Sequence, residues 1–147
     1  MTRTSSLEAE ISKVIERQAQ GIHDKDAKAA VSHYAANAVI FDLAPPLRNA
    51  STGPALEQSL NDWFATWQGP IGYETRDFSI TANDDVAFGH GFVRITGTKV
   101  DGEHNDLWVR QSLGFRKING AWKIAHDHTS VPFYMDGSYK AAVDLKP

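Results

Sequence analysis

From Ile71 onward the apolar residues change their spacing, from the 3.6-residue repeat of a helix to the two-residue repeat of a strand. Before that point Leu7, Ile11, Val14, Ile15, Gln18, Ala19 and Ile22 form a single helical stripe. After it, four segments alternate as strands do: Tyr73–Thr81, Val86–Thr98, Asp106–Lys117 and Ala121–Ser130. NDD, DG and NG turn signals separate them, so consecutive strands should pair as hairpins. Helices gathered first and a meander last predict an α+β domain and argue against alternating βαβ units.

Local signals fill in the first half. Ser5 or Ser6, followed by Glu8 and Glu10, marks a helix start, with acids near the positive end of the dipole. Gly21 and the HDKD segment end that helix. Asp26 caps a second, short helix in which Ala27, Ala30, Val31 and Tyr34 share a face. Val39 to Asp42 reads as a short buried strand that Pro45-Pro46 stops. Gly53-Pro54 opens a third helix with Leu56, Leu60, Trp63, Phe64 and Trp67 on its apolar face, and Gly69-Pro70 closes it. After about Tyr134 the chain is a polar tail, and no repeat or linker divides residues 1–147, which read as one domain.

Composition removes several classes of function. With 41% hydrophobic and 22% charged residues the composition is that of a globular protein and argues against disorder. The net charge of −3, with no run of either sign, provides no basic footprint for nucleic acid. The absence of cysteine excludes disulfides and thiolate zinc sites. There is no apolar run of membrane-spanning length and no signal-like N-terminus, so a soluble, cytoplasmic protein with no membrane partner is expected. Glycine-rich phosphate loops, nucleophile elbows and H-E-x-x-H are also missing, and no cofactor is called for.

The hairpin registers decide which side chains meet. Each long hairpin accepts either a tight two-residue loop or a three-residue loop with a glycine bulge. The bulged form places His90 opposite Ser112, Phe92 opposite Arg110 and Arg94 opposite Trp108. In the last hairpin it places Ser112 opposite His126 and Arg110 opposite His128. One face then mixes Phe88, Phe92, Trp108, Trp122 and Ile124 with His90, Arg94, Arg110, Ser112, His126, His128 and Ser130. Large aromatics with a few polar groups are the make-up of a small-molecule pocket. The opposite face, with Val93, Ile95, Val109, Leu113 and Phe115, is too apolar to leave wet, so a second subunit is expected to cover it.

The pattern R-Q-S…R-K-I-N-G-A-W-K-I-A-H-D-H-T-S over residues 110–130 resembles the C-terminal signature of SnoaL-like and ketosteroid-isomerase-like proteins. H-x-H-x-S (His126, His128, Ser130) is also similar to the end of the calcium/calmodulin-dependent kinase association domain. D-A-K-A-A-V-S-H-Y-A-A-N-A-V-I-F-D, residues 26–42, resembles the second helix and first strand of ketosteroid isomerase. The resemblance covers about residues 7–133 and implies the nuclear transport factor 2-like superfamily. It implies a cone-shaped, curved antiparallel sheet of the cystatin-like α+β roll type, with N-terminal helices over its concave face. A pocket between the layers and a homodimer formed through the sheet are implied as well. No single chemistry is implied, because one fold hosts many functions.

By that resemblance Asp42 matches the catalytic base of ketosteroid isomerase, and desolvation among Phe41, Leu43 and aromatics would raise its pKa to a useful value. The alternative is an Asp that caps the turn before Pro45. Gln18 stands where the isomerase has its tyrosine donor, and its second, protonated acid has no evident match. An amide is a weaker oxyanion donor than a phenol, which argues against authentic steroid isomerisation. His126 and His128 are candidate acid–base residues, polar pocket lining, or a metal pair with His90; no Glu completes a ligand set and the resemblance carries no metal. Arg94 and Arg110 point to a carboxylate or enolate ligand unless Asp42, Glu57 or Asp106 pairs with them internally. Tyr34, Trp63, Trp67 and Trp108 are candidate ligand contacts, with core packing the plainer role for the tryptophans; Trp122 is expected to pack under the helices.

Two readings follow. In the first the protein is a cofactor-independent isomerase, cyclase or dehydratase that moves a proton on a small carbonyl compound, with Asp42 as base, His126 or His128 as acid, and Arg110 as clamp. In the second it is a non-catalytic ligand-binding or dimeric association module.

Overall fold

The computed structural model describes residues 2–49 and 52–147 and has the expected α+β order. Helix α1 spans Arg3–His23, α2 Ala27–Val31 and α3 Gly53–Phe64. The strands are β1 Tyr34–Phe41, β2 Trp67–Ala82, β3 Val86–Lys99, β4 His104–Ile118 and β5 Ala121–Ser130. They form one curved sheet in the order β1-β5-β4-β3-β2, antiparallel except for the parallel β1–β5 pair at the edge. Among the described residues, no helix is long and apolar enough to cross a membrane.

Capping explains the helix boundaries. Helix α1 starts earlier than Ser5 because the Thr2 side chain already accepts from the Ser5 amide at 3.1 Å. It runs through Gly21, which the sequence marks as an end. There Gly21 lets α2 approach, since a Cβ at that position would meet the Ala30 amide nitrogen at 3.0 Å. Asp26 caps α2 as expected, accepting from the Ala29 amide at 3.0 Å. Tyr34 is not on that helix; the chain turns at Ser32 and Tyr34 opens β1.

The apolar stripe of α1 lies on the sheet. Ile11 and Ile15 pack with Ala87, Leu113, Phe115, Trp122 and Ile124. Ile22, Ala27, Ala30 and Phe64 pack with Trp67, Ile71, Val93, Ile95 and Val109. Phe115, Ile11, Ile71, Ile124, Val93 and Val109 are less than 2% exposed, each worth about 1.5–3 kcal/mol of burial. Trp122 lies under the helices as expected.

This packing reverses the expected assignment of the two sheet faces. The face with Val93, Ile95, Val109, Leu113 and Phe115, read as a subunit interface, is the concave face beneath the helices. Aliphatic side chains interlock with the isoleucines of α1, whereas arginines keep their charged heads in water only on the open face.

Registers explain the rest. β3–β4 pairs as expected, with His90 opposite Ser112, Phe92 opposite Arg110 and Arg94 opposite Trp108. β4–β5 does not. Asn119 (φ 51°) and Gly120 (φ 81°) make a tight turn that pairs Ile118 with Ala121 and Phe115 with Ile124. The bulge lies inside β5 instead: Gly114 pairs with His126, Ser112 with His128 and Arg110 with Ser130, leaving Ala125 unpaired. Trp122 and Ile124 therefore face the helices, and the phase then changes so that Asp127 and Thr129 do as well.

Candidate functional site

The concave face carries a polar cluster in an otherwise apolar interior. Asp127, 6% exposed, sits opposite Leu113 of β4 and Ile40 of β1. The Tyr34 hydroxyl donates to its Oδ2 at 2.6 Å, and the Gln111 side-chain amide donates to its Oδ1 at 3.1 Å. Thr129 Oγ1 adds a longer contact of 3.4 Å to Oδ1. The Gln18 amide reaches the Tyr34 hydroxyl from α1 at 3.4 Å. Tyr73, from β2, is hydrogen-bonded to Gln111 and completes the group.

Burial controls the protonation of this cluster. Desolvation pushes the Asp127 carboxyl up; its bonds from Tyr34 and Gln111 oppose that, and the charge of Asp42 adds to it. Tyr34 is raised well above the ordinary phenol value by burial first and by Asp127 second. Tyr73 is raised for the same two reasons, burial foremost. Burial thus disfavours charge on Asp127 and on both phenols, so the cluster is held together by hydrogen bonds between groups whose neutral forms are favoured.

Asp42 stands at the open end of the same face, one step beyond Ile40 on the edge strand. It is exposed, and its Oδ1 accepts from the Leu43 amide at 2.8 Å. The turn-capping role is therefore present, and the carboxylate also acts electrostatically on Asp127, Tyr34 and Tyr73. Beside it opens a cleft of about 700 Å³ whose lining includes Phe41, Leu43, Pro45, Pro46, Leu47 and Val131, with Asp42, Arg48, His128, Thr129 and Ser130. Thr129 links the two parts of the site, since it lines the cleft and bonds Asp127.

The model of the SnoaL-like domain matches residues 11–134. The chain belongs to the SnoaL-like family. A solved nuclear transport factor 2-like protein of unknown function from Pseudomonas putida KT2440 is 30% identical over 98% of this SnoaL-like chain and 99% of its own, with a TM-score of 0.86. A ketosteroid isomerase-like protein from Erwinia carotovora atroseptica is 21% identical over 83% of this chain and 93% of its own, with a TM-score of 0.70. The association domain of the C. elegans calcium/calmodulin-dependent protein kinase II is 16% identical over 86% and 97%, with a TM-score of 0.68. The last two likenesses show the fold. No curated protein sequence matches the chain.

Most of the side chains singled out in the sequence lie on the other face of this SnoaL-like sheet. His90, Arg94, Trp108, Arg110 and Ser112 alternate with the buried residues of β3 and β4 and point away from the helices. Arg94 is held by Asp106 through two bonds of 2.9 and 2.8 Å, and its guanidinium stands 5.9 Å from the Trp108 ring centroid. Arg110 Nε donates to Ser130 at 3.1 Å. Neither arginine faces the cluster, so neither acts there as a clamp.

His126 and His128 share that outward face, and Phe41 stacks edge-on to both. His126 Nδ1 is engaged with the Val39 carbonyl at 2.8 Å, the plain structural role. His128 still lines the cleft at its rim. Among the described residues no three His, Cys, Asp or Glu side chains gather as a metal site. Gln18 and Tyr34, named from the sequence as candidate ligand contacts, both belong to the inner cluster, where they bond to each other and to Asp127. Trp63 and Trp67 pack in the core with their rings 5.7 Å apart, and Lys99 Nζ lies 4.0 Å from the centroid of Trp67.

Asp127, Gln111 and Tyr73 are the functional candidates the sequence reading missed. One signal was available: Asp127 is the only acid among the alternating residues of β5. The bulge at Ala125 hid its phase.

Proposed function

We propose that this SnoaL-like protein is a cofactor-independent enzyme that moves a proton on a small carbonyl compound, in the manner of an isomerase, cyclase or dehydratase. One observation carries the reading: a solvent-reachable carboxylate, Asp42, borders a cleft that Thr129 joins to the buried acid Asp127, whose ionised form burial disfavours. In this scheme Asp42 removes a proton from the carbon next to the carbonyl, and the electron pair moves onto the carbonyl oxygen. Asp127, in its protonated form and held in place by the Tyr34 hydroxyl, donates the hydrogen bond that stabilises that oxygen, and the proton returns from Asp42 to a different atom. Asp127 thus takes the acid role expected of His126, and His128 contacts substrate at the rim.

The test is exchange of α-protons for deuterium in a panel of small ketones and esters, followed by NMR in heavy water. Asp42→Asn should abolish the exchange while the variant stays folded. Undiminished exchange in that variant would sink the assignment.

The protein is also proposed to act as a homodimer through its sheet, now by the outward face. Phe88, 55% exposed, stands there with Phe92, Trp108 and the two histidines. Sedimentation as a monomer at micromolar concentration would remove this part of the reading.

A further inference from the structure

We infer that a second cavity, on the outward side of the sheet where β1, β4 and β5 meet the start of β3, binds a small organic carboxylate with an apolar body, anchored by Arg116. The inference is independent of the proton-transfer reading and of the cleft beside Asp42.

The cavity has a cause in the strand registers. Both pairings of β5 slip at the same level, with β1 between Tyr34 and Val39 and with β4 between Gly114 and Phe115. There a cavity of about 470 Å³ opens, a size that suits a small molecule. Gly114 lines it and puts no side chain into it. Val39, Val86 and Ala125 provide apolar wall, and Asn37, Arg116 and His126 provide the polar groups. No lining residue is acidic. His126 donates its Nδ1–H to the Val39 carbonyl at 2.8 Å, since a carbonyl only accepts, and this bond holds the ring in the wall.

The charges around the cavity are unbalanced. Arg116 stands directly opposite Lys123 in the β4–β5 pairing, an arrangement of like charges that works against the sheet. The Lys123 ammonium donates to the Ser32 carbonyl at 2.7 Å, which leaves its charge unneutralised. Among the described residues no carboxylate lies within ion-pair distance of Arg116, Lys123 or His126, Asp85 beside Val86 included. Nearby acids are engaged elsewhere: Asp84 pairs with Arg3, and Glu10 accepts from Trp122 Nε1 and faces Lys117. His33 registers the same positive field, its pKa being lowered by burial first and then by Lys123 and Arg17. An anion in the cavity would supply the missing counter-charge, and a guanidinium matches a carboxylate with two parallel hydrogen bonds. Because an exposed charge alone holds an anion weakly, the apolar wall has to supply the remaining affinity. An apolar body on the carboxylate follows from that requirement.

The experiment titrates the full chain at pH 7.5 with hexanoate, acetate and hexanamide, followed by NMR. Hexanoate should bind at least about tenfold more tightly than hexanamide, the scale of a hydrogen bond to a charged group. It should exceed acetate by at least about tenfold as well, because its longer chain covers the apolar wall. The shifts should centre on the backbone amides of Gly114 and Ala125. Arg116→Gln, at an exposed position, should weaken hexanoate at least about tenfold and leave Tm unchanged. Arg48→Gln removes the same charge from the other cleft and should leave the affinity as it was. Hexanamide binding as well as hexanoate would overturn the inference, and so would acetate binding as well, which marks a surface ion pair only. Absence of saturable hexanoate binding, or its loss in Arg48→Gln and not in Arg116→Gln, would overturn it equally.

Discussion

Removing the Tyr34 hydroxyl should weaken the protein by an amount that depends on pH. In Tyr34→Phe the 2.6 Å donor to Asp127 is lost, and only Gln111 and the longer Thr129 contact remain on that carboxyl. Where Asp127 is protonated, the loss is that of a neutral hydrogen bond, about 1 kcal/mol. Where it is ionised, a charge-assisted bond disappears from a buried carboxylate, about 2–3 kcal/mol. For a chain of this length 1 kcal/mol corresponds to about 3 °C in Tm, so the drop should be about 3 °C in acid and about 6–9 °C in alkali.

The direction follows from the raised pKa of Asp127. The folded state keeps this proton to higher pH than the unfolded chain, whose carboxylate titrates near about 4. Stability from this group is complete below that value and falls as pH climbs through Asp127's own, higher one. Tyr34 opposes the upward shift, so the variant should show a steeper fall over the same window. Thermal unfolding of both proteins across a pH series from about 4 upward measures it. An equal drop throughout the series would refute the coupling between Tyr34 and the ionisation of Asp127.

Asp127→Asn should flatten the fall in stability as pH rises above about 4 relative to the parent, seen in denaturant midpoints, and should slow any α-proton exchange. Phe115→Ala, at a residue 1% exposed beneath α1, should cost about 3–5 kcal/mol in urea unfolding. Gly91→Ala should cost about 1–3 kcal/mol, because its new methyl would meet the Phe78 ring at 2.5 Å and the Phe78 Cα at 2.9 Å. Arg94→Ala should leave Tm essentially unchanged, since the Arg94–Asp106 pair is solvent-exposed.

Much of the fold was legible because it rests on periodicity. The stripe of α1, the cap at Asp26 and the NG turn each have a local physical cause, and each stands where the sequence places it. The β3–β4 register was legible for the same reason. The choice of inner face was not. Both faces of β3 and β4 carry large apolar groups, and the weight given to convergent polar residues favoured the wrong one. What decides it is the shape match between isoleucines on α1 and the short aliphatic chains at Val93, Val109 and Leu113, a property of two elements together. Asp42 was legible from its place at the end of an apolar strand. Asp127 was not, because it lies beyond an irregularity that no residue type announces.

The unpaired Ala125 gives β5 an unusual response to changes in chain length. A residue removed from the middle of a strand ordinarily turns everything after it over, exchanging interior for exterior. Here the count is already one too many, and removing Ala125 would let Trp122, Ile124, Asp127 and Thr129 follow one another in unbroken alternation. Deletion at that single position should leave the acid where it is and straighten the strand. Deletion of Lys123, with the bulge retained, would instead turn Trp122 out into water. Tolerance to shortening would then peak inside a buried strand and not in a loop, an inversion that a scan of single-residue deletions would detect without any knowledge of the substrate.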